Sequence, residues 1–201
     1  MIDALVAAVA AILGFLFRDF YTRRRSEQEA SRQTTLTFGA PVAIGVSSGA
    51  YVTASANEDG ALLAREKNSE AAEQFELIDP EDAFAAHLNR PVRFGAQVAL
   101  RALTQQQYVR AGPERQNNLA ADAVEIGNLE TFRLLPARGQ LWPWSDKSVH
   151  YGSAFALQAR NRRYVTCDQS DGQRLSATSL QITRQATLVF LKPDPSKDTG
   201  G

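Results

Sequence analysis

Three copies of a segment of about 56 residues occupy most of the sequence and limit the folds open to it. Each copy contains a glycine after an aromatic residue, a Tyr-Val pair about a dozen residues later, a central leucine and a closing apolar strand. The shared landmarks are Gly39, Gly95 and Gly152, then Tyr51, Tyr108 and Tyr164, then Leu63, Leu119 and Leu175, and finally the strands that begin at Phe75, Phe132 and Leu188. Four landmarks in one register indicate a true internal repeat.

Each copy shows the alternation of apolar and polar residues that is typical of strands, with turn-forming residues between the runs. About four strands fit in each copy, and one four-stranded unit cannot bury its own apolar face. Three units of this size predict an all-β fold, a β-trefoil over 35–192 with copies at about 35–91, 92–148 and 149–192. We name these the first, second and third copy. The repeated Tyr, Leu and Phe positions are expected to form the core.

The copies resemble the MIR repeat in the segments 36–44, 92–100 and 149–157, where an aliphatic residue precedes Phe/Tyr-Gly and alternating apolar residues follow. MIR repeats build trefoils in protein O-mannosyltransferases and in the ligand-binding part of inositol trisphosphate and ryanodine receptors. The Tyr-Val-x-Ala and Leu-x-Ala elements are also similar to fascin-type trefoils, which bundle actin. The resemblance lies at core and turn positions, so it implies the fold and leaves the ligand open.

The N-terminal region is apolar over residues 4–17, fourteen residues without a polar side chain. A bilayer core requires about 20 helical residues, which flanking apolar residues could complete. This pattern predicts a transmembrane helix over 1–22 that contacts membrane lipid through residues 4–17, and a polar tether over 23–34. A buried core helix and a helix packed on a partner are the alternatives. Residues 193–201 have the composition of a disordered tail.

Four arginines flank the apolar segment on its C-terminal side, at Arg18, Arg23, Arg24 and Arg25. With Asp19 as the one acid among them, the local charge is +3. The positive-inside rule then predicts a single-pass protein with its trefoil on the cytoplasmic side. The opposite topology is the alternative.

Composition argues against several function classes. The 22 basic and 22 acidic residues give no net charge, which disfavours a nucleic-acid binder. One cysteine and two histidines supply no disulfide framework and little material for a metal site. Since the sequence also contains no phosphate loop or nucleotide fingerprint, we expect no cofactor and no enzyme activity.

Catalytic motifs are weak. Residues 45–49 match Gly-x-Ser-x-Gly, but the strand at Tyr51 predicts a hairpin turn there rather than a nucleophile elbow. His87 could hold a metal with Glu81 and Asp82, although a solvated connection is the favoured interpretation. His150 is predicted to be a partly exposed strand residue. Cys167 aligns with alanines of the other copies and is predicted to be a buried, inert thiol.

Two segments are candidate binding surfaces. Arg160, Arg162 and Arg163 form a basic turn that could contact anionic lipid or an acidic partner, or could be a solvated hairpin tip. Trp142 and Trp144, between the second and third copies, could form a protein or sugar surface, or cover the barrel end. The sequence predicts a membrane-anchored, non-catalytic binding or assembly module, acting as a protein-interaction subunit of a membrane complex. A glycan-binding module outside the cell and a fascin-like cytoskeletal protein are the alternatives.

Overall fold

The computed structural model describes residues 35–67, 74–81, 89–112, 117–137, 147–168 and 173–193. These residues form an all-β fold of twelve strands, as the sequence predicts, and their one helical segment is the 3₁₀ turn Ala56–Glu58. In chain order the strands are β1 (Pro41–Val46), β2 (Tyr51–Ser55), β3 (Ala61–Glu66), β4 (Phe75–Ile78), β5 (Gln97–Ala102), β6 (Gln107–Ala111), β7 (Leu119–Ala123), β8 (Phe132–Pro136), β9 (Ala154–Gln158), β10 (Tyr164–Cys167), β11 (Leu175–Ser179) and β12 (Leu188–Leu191).

Six of the strands pair in a closed antiparallel ring. Strand β1 pairs with β4, β4 with β5, and β5 with β8. Strand β8 then pairs with β9, β9 with β12, and β12 with β1. Closure leaves none of these six strands with an unpaired edge.

The other six strands form three hairpins, β2–β3, β6–β7 and β10–β11. The pairing register shifts directly after the tyrosine that opens each hairpin, at Tyr51, Tyr108 and Tyr164. A bulge at the same place bends the three hairpins in the same way.

A circle of backbone hydrogen bonds closes one end of the strand ring. Leu36 N–H donates to Val149 O over 2.8 Å, Val149 N–H to Val92 O over 2.9 Å, and Val92 N–H to Leu36 O over 2.8 Å. We call this end the floor. Because each segment donates to one neighbour and accepts from the other, the three copies meet here equivalently and their backbone polar groups are satisfied.

A second circle joins the three hairpins at the end that we call the roof. Ala64 N–H donates to Gln173 O over 2.9 Å, Ala121 N–H to Gly60 O over 2.8 Å, and Ala177 N–H to Asn117 O over 2.8 Å. Gly60 has a φ of +74° and passes so close to Ala121 that a Cβ would lie 2.5 Å from its carbonyl oxygen. Glycine is therefore required at this position.

The core confirms the predicted leucines and phenylalanines but not the tyrosines. Leu63, Leu119 and Leu175 are buried, and so are Phe75 and Phe132. The prediction that Tyr51, Tyr108 and Tyr164 form the core is wrong, since all three are only half-buried. The buried side chain of each Tyr-Val pair is the valine, at Val52, Val109 and Val165. The bulge after each tyrosine places the valine on the inner face.

Within the described ranges, no helix has the length and hydropathy needed to cross a membrane. The predicted membrane helix (1–22), the tether (23–34) and Arg18, Arg23, Arg24 and Arg25 lie outside the described residues. The same holds for Trp142, Trp144, His87 and Asp82, and for the predicted tail except Pro193.

Candidate functional site

The turn between β9 and β10 carries the predicted basic residues. Ala159 and Arg163 close the turn, because Ala159 N–H donates to Arg163 O over 2.9 Å and Arg162 N–H donates to Ala159 O over 2.9 Å. Arg160 and Arg162 are exposed, and Arg163 is half-buried. We call Arg160, Arg162 and Arg163 the basic turn.

Strand β11 holds the basic turn in place. Asn161 donates from Nδ2 to Ala177 O over 3.1 Å, and the Arg163 guanidinium donates to Thr178 O over 3.0 Å. Leu180 follows the end of this strand and keeps 73% of its surface exposed. Leu180 comes two residues after Thr178, which Arg163 contacts, and we call the basic turn together with Leu180 the basic-apolar surface.

The corresponding turns of the other copies share the backbone conformation but not the charge. The third residue of each turn has a positive φ, +87° at Gly49, 56° at Gln106 and 62° at Arg162. No charged residue occurs in 47–50 or in 104–107. Folding therefore requires the left-handed conformation at this place and does not require arginine.

Charge is distributed unevenly among the copies even though the whole chain is neutral. The first copy has three basic and nine acidic residues, whereas the third has six basic and two acidic residues. The second copy, with seven basic and five acidic residues, is intermediate. The basic turn therefore belongs to the most basic copy, where few carboxylates compete for its guanidinium groups.

A second feature lies on the floor, where a cavity of about 410 Å³ opens between the first and second copies. Its lining residues are Phe38, Arg90, Pro91, Arg93 and Ala96. The Arg90 guanidinium lies over the Phe38 ring, 5.2 Å from its centroid, and pairs with the nearly buried carboxylate of Asp79. We call this space the floor cavity.

Of the two predicted binding segments, the structure describes only the basic turn, since Trp142 and Trp144 lie outside the described residues. Lys147 precedes β9 on the floor side, where its carbonyl accepts from Phe94 N–H over 2.8 Å. The basic turn follows the other end of β9, whose five residues span about 17 Å. Lys147 and the basic turn therefore lie about one strand length apart.

The predicted catalytic and metal-binding residues are scattered. Ser47 and Gly49 lie in the β1–β2 turn, where Gly49 N–H donates to Val46 O over 2.9 Å. His150 is half-buried at an isolated bridge to Thr35. Among the residues that the structure describes, no group of three His, Cys, Asp or Glu side chains could hold a metal ion.

Cys167 is buried, as predicted, and its thiol contacts Gln173 O at 3.6 Å. Burial raises the pKa of this thiol, and the nearby Asp168 carboxylate raises it further. The thiol is therefore protonated at neutral pH and a weak nucleophile.

Sequence reasoning missed Leu180 and Arg93. Leu180 corresponds to Val124 of the second copy, which is 79% exposed, so an apolar residue just after a predicted strand recurs in two copies. That recurrence was a usable signal for Leu180. No comparable signal marks Arg93, because the floor cavity forms from segments of two copies.

Comparison with known proteins gave matches among solved structures only. No family model matches the chain, and no curated protein matches it. A Caenorhabditis elegans protein of unknown function superposes with a TM-score of 0.62 and 14% identity, covering 81% of this chain and 98% of that one. An SDF2-like protein from Arabidopsis thaliana gives 0.58 and 9%, covering 78% and 94%.

The protein O-mannosyltransferase Pmt1-Pmt2 complex of S. cerevisiae, solved with its sugar donor, gives a TM-score of 0.66 and 10% identity. The match covers 81% of this chain and 26% of that chain. At these identities the likeness defines the fold alone. It is consistent with the MIR-like, β-rich fold that the sequence motifs resemble.

Proposed function

We propose that this chain is a MIR-like β-trefoil that acts as a non-catalytic binding module, held at a membrane by residues 1–22. The six-stranded ring, the three bulged hairpins and the circles of hydrogen bonds at floor and roof support the trefoil assignment. A trefoil built from three similar copies can change the surface turns of one copy without loss of its core, because the shared core residues are not in those turns.

The basic-apolar surface is the observation on which the function rests. Arg160 and Arg162 are exposed to solvent, and Leu180, two residues beyond the Thr178 carbonyl that Arg163 contacts, is 73% exposed. Arginine pairs with carboxylates in a two-pronged geometry and is enriched at interface hot spots, while a buried leucine adds hydrophobic stabilisation. This combination suits a protein partner with an acidic segment and an apolar pocket.

The direction of the chain favours a protein over lipid at this surface. The described chain begins on the floor, where Thr35 bridges His150, and the basic turn lies at the far end of β9. If residues 1–22 lie in the membrane, the floor is the end nearest the tether. The basic turn is then directed away from the bilayer, toward other proteins.

Affinity capture of the full-length protein from detergent-solubilised membranes tests this proposal. We expect R160Q/R162Q/R163Q to lose specific partner proteins that wild type retains at physiological salt. Gln106→Ser changes the corresponding turn of the second copy and provides the matched control, which should retain them. Equal recovery of every partner by wild type and the triple variant would disprove a role for the basic turn.

A second candidate is glycan recognition outside the cell, for which the fold likeness to a mannosyltransferase complex is the supporting observation. Ricin-type sugar-binding trefoils carry Gln-x-Trp near the end of each repeat. This chain has the triplet once, at Gln140 to Trp142, without a counterpart in the first or third copy. Trp142→Ala/Trp144→Ala should abolish glycan-array binding if this candidate is correct.

Topology separates the two candidates. Because Cys167 is buried, a thiol reagent cannot reach it in the folded protein, so a cysteine is added at an exposed position. If the predicted N-terminal helix and its flanking arginines place the trefoil in the cytoplasm, a membrane-impermeant thiol reagent should label this cysteine in lysates and not on intact cells. Labelling of that cysteine on intact cells would favour the glycan candidate.

A further inference from the structure

The geometry of the floor cavity points to a binding site for a singly charged phosphodiester joined to an apolar group, the chemistry of an anionic phospholipid. The cavity of about 410 Å³ falls within the range of small-molecule sites. This inference concerns the end of the barrel opposite the basic turn. It adds a ligand site to the proposed partner surface.

The charge balance of the cavity selects an anion. Arg90 already pairs with Asp79, whose other carboxylate oxygen accepts from Glu81 N–H over 3.0 Å. Arg93 is exposed at the cavity wall and has no carboxylate partner among the described residues. Within this part of the chain one guanidinium therefore remains uncompensated, which matches one negative charge and can donate two hydrogen bonds to phosphate oxygens.

The other residues that line the cavity favour an apolar group attached to that anion. Phe38 presents its ring, held under the Arg90 guanidinium, and Pro91 and Ala96 add aliphatic surface. A free phosphate ion would lose hydration against these apolar walls and gain no contact with them in return. An acyl chain or glycerol carbon next to the phosphate would instead gain hydrophobic contact.

The position of the cavity indicates which molecule supplies the phosphate group. Thr37 forms an isolated bridge with Pro91 at the cavity, two residues after the first described residue, Thr35. The predicted tether joins the fold at this point, so the cavity opens on the end of the barrel nearest the proposed membrane segment. A phospholipid of the same bilayer is the phosphate source within reach of a membrane-anchored chain, and this step rests on the proposed anchoring.

Among the described residues, only one of the three floor junctions has this chemistry, which predicts one site per chain. The isolated bridges Thr37↔Pro91, Arg93↔Ser148 and His150↔Thr35 occupy corresponding places around the floor. The residues that correspond to Arg93 are Thr37 in the first copy and His150 in the third. Neither of them carries a permanent positive charge.

Native mass spectrometry of the full-length chain in nonionic detergent tests the site. The probes are dihexanoyl phosphatidylglycerol, dihexanoyl phosphatidylcholine and inorganic phosphate. We expect a one-to-one adduct with phosphatidylglycerol and at least tenfold lower occupancy with the other two. Phosphatidylcholine has the same chains and phosphodiester, but its ammonium group cancels the charge. Equal occupancy with both lipids would overturn the proposal.

Two variants test the cavity itself. Arg93→Gln removes the uncompensated charge and should lower phosphatidylglycerol occupancy at least tenfold. Ala96→Leu fills the cavity and leaves every guanidinium in place, and it should also lower phosphatidylglycerol occupancy at least tenfold. Arg184→Gln, an exposed arginine in the β11–β12 connection, is the matched control and should bind normally. Unchanged occupancy in Arg93→Gln would place the lipid elsewhere and overturn the site.

The controls also separate this site from the partner surface. Arg93→Gln should capture the same partner proteins as wild type, because Arg93 lies on the floor. If inorganic phosphate matched phosphatidylglycerol, the anion chemistry would stand and the lipid source would be overturned. Loss of partners in Arg93→Gln with normal lipid occupancy would overturn the assignment of the two ligands to opposite ends.

Discussion

The β5–β6 turn of the second copy and the β9–β10 turn of the third have the same place and backbone conformation but different side chains. Gln106 and Arg162 both adopt positive φ. The glutamine side chain bends back to donate to Leu103 O over 2.6 Å, whereas the third copy has three arginines in its turn. The fold sets the conformation of both turns and not their side chains, so the exposed Arg160 and Arg162 are available for binding.

The hairpins that follow these turns differ in the same way. In the second copy, Arg110 and Asp122 form a two-bond ion pair across β6–β7, with both distances 2.6 Å. In the third copy, the corresponding Thr166 and Thr178 share a hydrogen bond of 3.3 Å between hydroxyl groups. One cross-strand position thus accepts a charged or a neutral pair. The cross-strand charge of the second copy is thus paired within its own hairpin, while Arg160 and Arg162 of the third copy are exposed to solvent.

The largest predicted loss of stability comes from truncating the core leucine that the second and third copies share. Leu119→Ala and Leu175→Ala each remove a fully buried leucine from corresponding hairpins and should each lower the free energy of unfolding by about 2–5 kcal/mol. Denaturant titration measures both. A cost below about 1 kcal/mol for only one of them would show that the copies are not equivalent in the core.

A smaller effect should distinguish the cross-strand pairs. Asp122→Asn breaks a partly exposed ion pair and should cost about 0.5–1 kcal/mol at low salt, less as salt screens the charges. Thr178→Val should show no such salt dependence. Unfolding at several ionic strengths checks the contrast, and equal salt slopes would contradict it.

Acid should weaken the contact of the third copy with the first at the roof. Hydrogen bonds from Arg174 and then Arg65 lower the pKa of the Glu58 carboxyl. A lowered folded-state pKa means that the stabilisation is present above the ordinary carboxyl pKa and is lost as pH falls through the lowered value. The stability difference between wild type and Glu58→Gln should therefore shrink on acidification. A difference that is constant with pH would contradict this assignment.

The smallest effect on stability should come from the turns themselves. Gln106→Gly and Arg162→Gly each remove the backbone strain of a non-glycine residue with positive φ, but they also increase the conformational entropy of the unfolded chain. Because the two effects oppose each other, each substitution should change the free energy of unfolding by less than about 1 kcal/mol. Thermal unfolding of both variants measures this. A large loss in Arg162→Gly alone would mean that the arginine side chain supports the fold.

Sequence alone supplied the strands and most of the core, because apolar periodicity and spacing repeat in all three copies. It failed for Tyr108 because the bulge after this residue, which puts Val109 on the inner face, arises from pairing with β7. The basic turn could be predicted because its three arginines fall within residues 160–163. The apolar residue of the basic-apolar surface, Leu180, could not be predicted in this way, because its exposure depends on how the hairpin packs. The floor cavity depends on contacts between copies, which no local pattern encodes.

Site-specific photocrosslinking gives the most direct test of the claim that the third copy carries the partner surface. A photoreactive amino acid is placed at position 162 or at the corresponding position 106 of the full-length protein, and irradiation is done in native membranes. The difference between the two turns predicts a discrete protein adduct at 162 and none at 106. Adducts of equal yield at both positions, or an adduct at 106 alone, would contradict it.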